Sequence, residues 1–220
     1  MLENLVDILP ELGVALGQTL AMLGIGLAAA LLFGGPLGVL LFMVGDGWSL
    51  RHRPLALVLG WTVNMVRSFP FIVLLVALVP LTRLVVGTSI GPLAASVPLS
   101  VAAIPFFARL VEQTLRAVPR GVIEAAQAMG ASELQIVTRV LLVEARSGLV
   151  LALTVLAVSF LSWSAVAGVV GGGGIGELAI RHGYYRFETD TMIFTVAVLV
   201  ALVQIIQLGG AGMARRLDKR

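Results

Sequence analysis

Two glycine-containing patterns in the sequence match motifs that carry chemistry in soluble enzymes. Residues 87–91 read GTSIG and fit G-x-S-x-G, which places a nucleophilic serine on a turn between a strand and a helix. Residues 171–176 read GGGGIG and fit G-x-G-x-x-G, which binds the pyrophosphate of a dinucleotide. No strand pattern precedes Ser89, and an apolar stretch of helical length precedes Gly171. We therefore expect neither activity, and we interpret residues 171–176 as a flexible outer loop.

The remaining reactive residue types are scarce. The chain has no cysteine, and its one lysine is Lys219, which follows aspartate where a Walker A motif has glycine. The two histidines, His52 and His182, fall in connections that are assigned below to opposite sides of a membrane. We expect no enzyme activity, no ATP hydrolysis and no metal site in this chain.

Charged and polar residues inside otherwise apolar stretches are the other functional candidates. Arg109, Glu112 and Arg116 have i, i+3 and i, i+4 spacing, which places them on one helix face and predicts a salt-bridged brace. Arg67 interrupts an apolar stretch, and we expect it to be an anchor paired with a carbonyl or carboxylate group, or to take part in gating. Hydroxyl groups near Trp163 can face a neighbouring helix or line a solute route. The pathway candidates are Arg67, Phe69, Pro70, Ser162, Trp163 and Val166.

The composition indicates an integral membrane protein. Of the 220 residues, 59% are hydrophobic and 12% charged, whereas soluble domains carry about 25% charged residues. The net charge of +3 comes from scattered arginines without interleaved aromatic residues, so we expect no nucleic-acid partner. The bilayer is instead the expected environment.

Apolar stretches without Asp, Glu, Lys or Arg define the candidate spans, because about 20 apolar residues cross the hydrocarbon core. Four such stretches are 12–45, 84–108, 147–176 and 191–214, and a fifth, 54–82, is interrupted only by Arg67. In the fifth stretch we expect a short interfacial helix over 55–66, followed by most of a crossing. The pattern predicts an all-α, polytopic protein in a single domain over residues 1–220. Its five spans are predicted at about 15–44, 60–81, 93–116, 147–170 and 190–213.

Cations decide the orientation, since cytoplasmic loops collect Lys and Arg. One set of connections holds ten cations, namely Arg51, Arg53, Arg116, Arg120, Arg139, Arg146, Arg215, Arg216, Lys219 and Arg220. The other set holds three, Arg83, Arg181 and Arg186. We therefore expect the N-terminus outside and the C-terminus in the cytoplasm.

The longest cytoplasmic connection, residues 117–146, has the pattern of two short amphipathic helices. A helical run over 123–129 ends at Gly130, a residue suited to a left-handed position, and Ser132 can cap a second helix that begins near Glu133. This hairpin either lies on lipid or docks on a cytosolic partner. In the second case, Glu124 would be an anchoring charge and the small Ala125, Ala126 and Ala128 would allow a close approach.

This connection resembles the E-A-A…G…I-x-L-P signature of ABC-importer permease subunits. Glu124-Ala125-Ala126 is followed by Gly130 and then by Val140-x-Leu142, while Val143 stands where the signature has proline. The resemblance implies the fold of type I importer permeases and a coupling helix that is received by a groove on an ATPase subunit. The coupling residues would be Glu124, Ala125, Ala126, Ala128, Met129, Gly130, Ala131 and Ser132.

Further segments are similar to amino-acid-type permeases, and within them to methionine-uptake permeases. They include Arg67-Ser68-Phe69-Pro70, Pro119-Arg120-Gly121 and Pro80-Leu81-Thr82-Arg83. The resemblance implies a homodimer in the bacterial inner membrane, two ATPase subunits that bind ATP and Mg²⁺, and a separate methionine-binding protein outside. No cofactor is expected on this chain.

Two alternatives remain open from the residues. One is an ABC permease for another amino acid. The other is an ion-coupled secondary transporter or channel, which would require titratable groups near the bilayer midplane. Glu112 is the one candidate for such a group, and it lies close to the cytoplasmic end of its span.

Overall fold

A computed structural model describes the backbone of residues 2–45 and 52–218 and the side chains from Ile8 onward within those ranges. These residues are helical and contain no strand, which confirms the predicted all-α class. The α-helices are α1 (Leu2–Ala29), α2 (Gly35–Val44), α3 (Arg53–Ser68), α4 (Phe71–Ala77), α5 (Val79–Val86), α6 (Pro92–Arg116), α7 (Arg120–Ala128), α8 (Glu133–Gln135), α9 (Leu142–Glu144), α10 (Arg146–Val169), α11 (Gly174–Leu178) and α12 (Thr189–Leu217). Three π-helical segments are π1 (Ala30–Gly34), π2 (Ile136–Leu141) and π3 (Ala179–Tyr184).

The first span joins α1, π1 and α2 into one helix that begins before the predicted 15–44 range. It packs backbone to backbone against α6 through two glycines four residues apart. A Cβ atom at Gly34 would lie 2.6 Å from the carbonyl oxygen of Ile104, and one at Gly38 would lie 2.5 Å from that of Ala108. Only glycine allows this approach, which is the usual role of small residues between membrane helices.

The predicted span over 60–81 is a bent pair of helices, because the backbone turns by 100° between α3 and α4. Pro70 causes the break, since a residue before proline is pushed out of the helical region, and Phe69 is extended at φ −72° and ψ 132°. The expected interfacial helix over 55–66 lies within the longer α3. Four helices in the described residues are long and apolar enough to cross a membrane, or five when this bent pair is counted as one span.

The other three predicted spans agree with the structure within four residues at each end: α6, α10 and α12 correspond to 93–116, 147–170 and 190–213. Their packing is unequal. Leu99 and Phe107 of α6 and Leu156 and Phe160 of α10 belong to the main core, together with residues of α1. In α12 the buried residues are Thr191, Thr195 and Ala214. The core therefore lies between α1, α6 and α10, and α12 covers one side of it.

The sequence predicts a flexible outer loop over residues 171–176, and this prediction is wrong. Gly174, Ile175 and Gly176 begin α11 and are buried. Thr19 Oγ1 accepts a hydrogen bond from the Ile175 backbone at 3.0 Å, and Gln18 Oε1 accepts one from Gly174 at 2.8 Å. The glycines are needed because a side chain at Gly176 would meet the backbone of Ala165 at 2.4 Å.

Candidate functional site

The connection predicted to couple to a partner folds as a hairpin of α7 and α8 with a defined hinge. Gly130 has φ +78°, its N–H donates to Gln127 at 2.9 Å, and the N–H of Ala131 donates to Ala126 at 3.1 Å. This pair of bonds is the Schellman arrangement, which satisfies the last carbonyl groups of a helix and favours glycine at the left-handed position. The predicted hinge is thus observed at Gly130.

The second half of the hairpin starts at the predicted cap. Ser132 Oγ accepts a hydrogen bond from the Gln135 backbone at 3.4 Å, and Gln135 Oε1 accepts one from the Ser132 backbone at 2.9 Å. The helix then widens into π2. Leu142 continues directly into α9, and Ala145 donates to Leu141 at 2.8 Å, so Val143 lies in a helical exit. With Val143 in place of proline, every residue of this exit keeps its backbone N–H donor.

The predicted coupling residues divide between two faces. Ala126 is 3% exposed and packs with Ile136 and Val137 in the main core, and Ala131 is half-buried beside it. The exposed residues are Glu124, Ala125, Ala128, Met129, Gly130 and Ser132. Met129 is 81% exposed. The hairpin therefore presents one acidic and several small residues around a projecting methionine.

The charged triad at the root of the hairpin forms the ion pairs that its spacing predicts. Glu112 is 5% exposed, and its Oε1 accepts bonds from Arg116 Nη2 at 2.8 Å and Nε at 3.1 Å. Its Oε2 pairs with Arg109 Nη1. A buried carboxylate is stable only with such partners, so Glu112 depends on both arginines.

The triad also reaches a second helix, which the sequence analysis missed. Arg109 Nη2 donates to Asn64 Oδ1 at 2.8 Å and to the carbonyl oxygen of Gly60 at 3.3 Å. Both acceptors belong to α3, within three turns of the break at Pro70. Asn64 could have been identified as an amide in a largely apolar helix. Its pairing with Arg109 could not be predicted, because 45 residues separate the two in the sequence.

Arg67 contacts an aromatic ring, and it has no carbonyl or carboxylate partner among the residues that the structure describes. Its guanidinium carbon lies 5.7 Å from the ring centroid of Phe106, within the range of a cation–π contact. Phe106 meets Trp163 edge to face at 5.3 Å, and Trp163 stacks on Phe71 at 5.9 Å. We call these four residues the aromatic cluster. It joins α3, α4, α6 and α10 around the bend, and Phe71 and Phe106 were not predicted.

The other pathway candidates lie near this cluster in sequence but differ in surroundings. Phe69 is 44% exposed at the break, and Pro70 is exposed beside it. Ser162 is exposed next to Trp163, and Val166 is half-buried one turn further along α10. The structure thus brings Arg67 and Trp163 together, whereas Phe69 and Ser162 present free surfaces.

A second polar cluster lies at the opposite end of the molecule. His182 is 6% exposed, with Nε2 3.1 Å from Glu11 Oε2 and Nδ1 3.0 Å from Glu188 Oε2. Arg181 Nη2 donates to Glu11 at 2.7 Å, and Thr191 donates to Glu188 at 3.0 Å. The hydrogen bond with His182 lowers the pKa of Glu188 below its ordinary 4.5. In the described residues, no group of three His, Asp or Glu side chains is placed to hold a metal ion.

These features together are those of a membrane transport subunit. The chain belongs to the family of inner membrane components of binding-protein-dependent transport systems, whose model matches residues 22–220. This confirms the resemblance to ABC-importer permeases and the expected location in an inner membrane.

Within this family, the chain is similar to individual proteins that are named for methionine transport. The chain is 49% identical over 203 residues to a probable D-methionine transport system permease protein MetI of Vibrio cholerae, covering 92% of this chain and 90% of the relative. It is 40% identical over 182 residues to the methionine import system permease protein MetP of Bacillus subtilis, with 82% of each chain covered. A solved inward-facing structure of the MetNI methionine ABC transporter has a chain with TM-score 0.94 and 41% identity, over 97% of this chain and 99% of that one.

Proposed function

We propose that this chain is the permease subunit of an ATP-driven methionine importer. Two copies would form the pathway, two ATPase subunits would bind ATP and Mg²⁺, and a separate binding protein would deliver D- or L-methionine from outside. The observation that carries this proposal is the exposed E-A-A hairpin, in which Gly130 has a left-handed backbone conformation. The chain that contains it is similar over nine-tenths of its length to a methionine permease.

The hairpin is the element that receives force in this proposal. Glu124 supplies a charge for an arginine or lysine on the ATPase subunit, the alanines allow a close approach, and Met129 fills an apolar cavity on the partner. The Gly130 hinge, packed through Ala126 onto the core, keeps these groups in a fixed arrangement. Movement of the ATPase subunits would therefore move the whole hairpin as one unit.

The triad at the hairpin root supports a route from the hairpin to the pathway. Arg116 lies at the end of α6, Glu112 ties it to Arg109, and Arg109 holds Asn64 of α3. A shift of the hairpin relative to the bilayer would pull on α3 near the bend at Pro70. The bend and the aromatic cluster around it would then open or close, giving the two states that alternating access requires.

The aromatic cluster suits a methionine side chain better than a polar one. Thioether sulfur interacts favourably with aromatic rings, and Phe71, Phe106 and Trp163 lie close together. Arg67 at the same site would pair with the substrate carboxylate group as its contact with Phe106 is released. Together these groups match a carboxylate group and an apolar, sulfur-containing side chain.

Reconstituted transport with charge-reversed variants tests this proposal. In proteoliposomes containing the permease, the ATPase subunit and the binding protein, Glu124→Arg should abolish methionine uptake and transport-coupled ATP hydrolysis while membrane insertion persists. Asp190→Arg, at the opposite side of the bilayer, is the matched control and should leave both activities near the unsubstituted level. Normal uptake by Glu124→Arg would exclude this hairpin as the coupling element, and preference for another amino acid would exclude methionine.

A further inference from the structure

A buried histidine lies between two carboxylate groups at the outer end of the molecule and has no part in the proposed transport route. His182, in π3, is 6% exposed. Its Nε2 lies 3.1 Å from Oε2 of Glu11 on α1, and its Nδ1 lies 3.0 Å from Oε2 of Glu188, the residue before α12. One imidazole ring therefore bridges the first span, π3 and the last span.

The two ring contacts determine which protonation state of His182 fits the site. A neutral imidazole ring has one N–H group, whereas an imidazolium ring has two, and an ionised carboxylate group only accepts hydrogen bonds. The pKa of Glu188 is lowered, first by its hydrogen bond with the histidine ring, so this carboxylate group stays ionised in mild acid. A neutral ring would leave a bare nitrogen atom facing a carboxylate oxygen at 3.0 or 3.1 Å. Only the imidazolium ring donates to both partners.

The charged groups around the ring make its contact with Glu11 the easier one to lose. Glu11 also accepts a hydrogen bond from Arg181 at 2.7 Å, in a pair whose two side chains are about half-exposed. The second donor to Glu188 is the uncharged hydroxyl group of Thr191 at 3.0 Å, and Arg186 acts on Glu188 through its charge. Because Glu11 keeps a direct cationic donor, the single N–H group of a neutral ring would stay with Glu188.

The contact with Glu11 lies beside a small apolar core at the outer end of α1. Buried residues of α1 pack there against α11, and partly buried residues of α12 cover them: Ile8, Leu12 and Ala15 meet Ile175 and Leu178, with Phe194, Val198 and Leu199 around them. The one acidic residue of α11, Glu177, accepts a bond from the Gly173 backbone at 2.8 Å. The polar contact at Glu11 adds to these few apolar contacts, so its loss would loosen this end of α1.

We propose that His182 is a proton-dependent positioning residue, whose doubly protonated ring holds the outer end of α1 against π3 and the start of α12. A neutral ring would keep Glu188 and release Glu11. Imidazole changes its charge between about pH 5 and 8, so the contact with α1 is complete in mild acid and is lost as the pH rises through this range. The proposal requires only the geometry of the outer cluster. Its consequence for import, that the pH outside controls the docking of the first span, rests in addition on the proposed function.

Nitrogen NMR spectroscopy with isotope-labelled histidine tests the protonation state. The chain has two histidines, so their ring signals in the permease–ATPase complex are identified by their loss in His182→Gln and His52→Gln. His52 is the reference, because its Nδ1 accepts a hydrogen bond from the Leu55 backbone at 3.3 Å. We expect His182 to keep two protonated nitrogen atoms to a higher pH in the unsubstituted complex than in Glu11→Gln, whereas Glu133→Gln should have no effect. Loss of the second proton at the same pH in all three would overturn the proposal.

Thiol labelling tests whether this proton positions α1. Because the chain has no cysteine, single-cysteine variants of the complex in proteoliposomes can be compared by the labelling of one permease peptide. Ile8 is 5% exposed in the small core, and the next residue, Leu9, is 51% exposed. The ratio of maleimide labelling of Ile8→Cys to that of Leu9→Cys corrects for the effect of pH on the thiol group. This ratio should rise about fivefold from mild acid to weak base, the effect of losing one hydrogen bond to a charged group at a half-exposed site.

The two histidines provide the matched variants for this measurement. In the His182→Gln background, which has no ring proton to lose, the labelling ratio should be high at every pH. In the His52→Gln background the rise with pH should remain. A ratio that does not change with pH in the unsubstituted chain, or an equal rise in the His182→Gln background, would overturn the proposal. The NMR measurement needs no cysteine and decides the matter if Ile8→Cys does not fold.

Discussion

Glu112 is the residue on which the polar interior of this protein most depends. It is buried, and it accepts hydrogen bonds from the two arginines on its own helix face. One of those arginines also holds α3 through Asn64. A single carboxylate therefore organises contacts between two membrane helices at the base of the coupling hairpin.

Replacing Glu112 with glutamine should destabilise the protein, because Arg109, whose side chain is 18% exposed, would lose its counter-ion. Arg116 is half-exposed and would be solvated, so we expect a cost below the roughly 3–5 kcal/mol of a fully buried pair. The thermal unfolding midpoint in detergent is the measurement, and Glu133→Gln, in the half-exposed first turn of α8, is the control. Equal midpoints for Glu112→Gln and the unsubstituted protein would contradict the role given to this group.

The outer ion-pair cluster should make stability depend on pH through Glu188. Its lowered pKa means that the ionised form stabilises the folded state above about pH 4.5, and this contribution is lost as the pH falls through the lower, folded-state value. The difference in unfolding midpoint between the unsubstituted protein and Glu188→Gln should be greatest at neutral pH and should disappear in acid. A difference that persists in acid would show that the carboxylate charge is not the cause.

At the scale of the element, the coupling hairpin combines a fixed hinge with an exposed recognition face. Gly130 is in the left-handed region and has open space around it, so backbone conformation rather than crowding requires glycine there. Gly121, nine residues earlier in α7, also has open space but ordinary helical geometry. The two positions therefore separate the effect of conformation from that of size.

Gly130→Ala should strain the hinge by roughly 1 kcal/mol and should reduce ATPase activity that depends on transport. Gly121→Ala should be neutral or slightly stabilising, since alanine favours helix. Both variants are measured for insertion, thermal stability and coupled ATP hydrolysis in the reconstituted complex. Equal coupling in the two variants would mean that the hinge geometry is not required.

The sequence predicted correctly those helix ends that are determined by a residue close to them in the chain. Ser132 caps α8 and Gly130 ends α7 because each signal lies within a few residues of its effect. Other predictions were wrong because they depend on contacts between distant parts of the chain or on backbone restrictions. The buried start of α11 depends on Gln18 and Thr19 of α1, which lie 156 residues away from their hydrogen-bond partners. The bend at Pro70 falls inside the predicted 60–81 span because hydropathy counts apolar residues and ignores the backbone restriction on the residue before proline.

At the scale of the whole molecule, the hairpin and the outer ion-pair cluster mark opposite ends. Met129 is 81% exposed at the hairpin and Phe187 is 85% exposed beside the outer cluster. The excess of cations predicts that Met129 faces the cytoplasm and Phe187 the outside. The absence of cysteine from the sequence makes both positions accessible to specific labelling.

Single-cysteine variants should show this orientation directly. Met129→Cys should react with a membrane-impermeant maleimide only in inverted vesicles, and Phe187→Cys only in right-side-out preparations. Addition of the ATPase subunit should protect Met129→Cys and leave Phe187→Cys reactive. The reverse labelling pattern would refute the orientation and with it the position of the coupling hairpin.

The last span is fastened at both of its ends. At the outer end, Thr191 and Glu188 connect it to His182, and at the inner end the carbonyl groups of Leu217 and Ala214 accept bonds from Arg146 and Ser147. A piston-like slide of α12 along its own axis would break bonds at both membrane surfaces at once. The inner bonds are kept only if α12 moves with α10, and the outer bond only if it moves with π3, so these three elements should travel together in any cycle of the transporter.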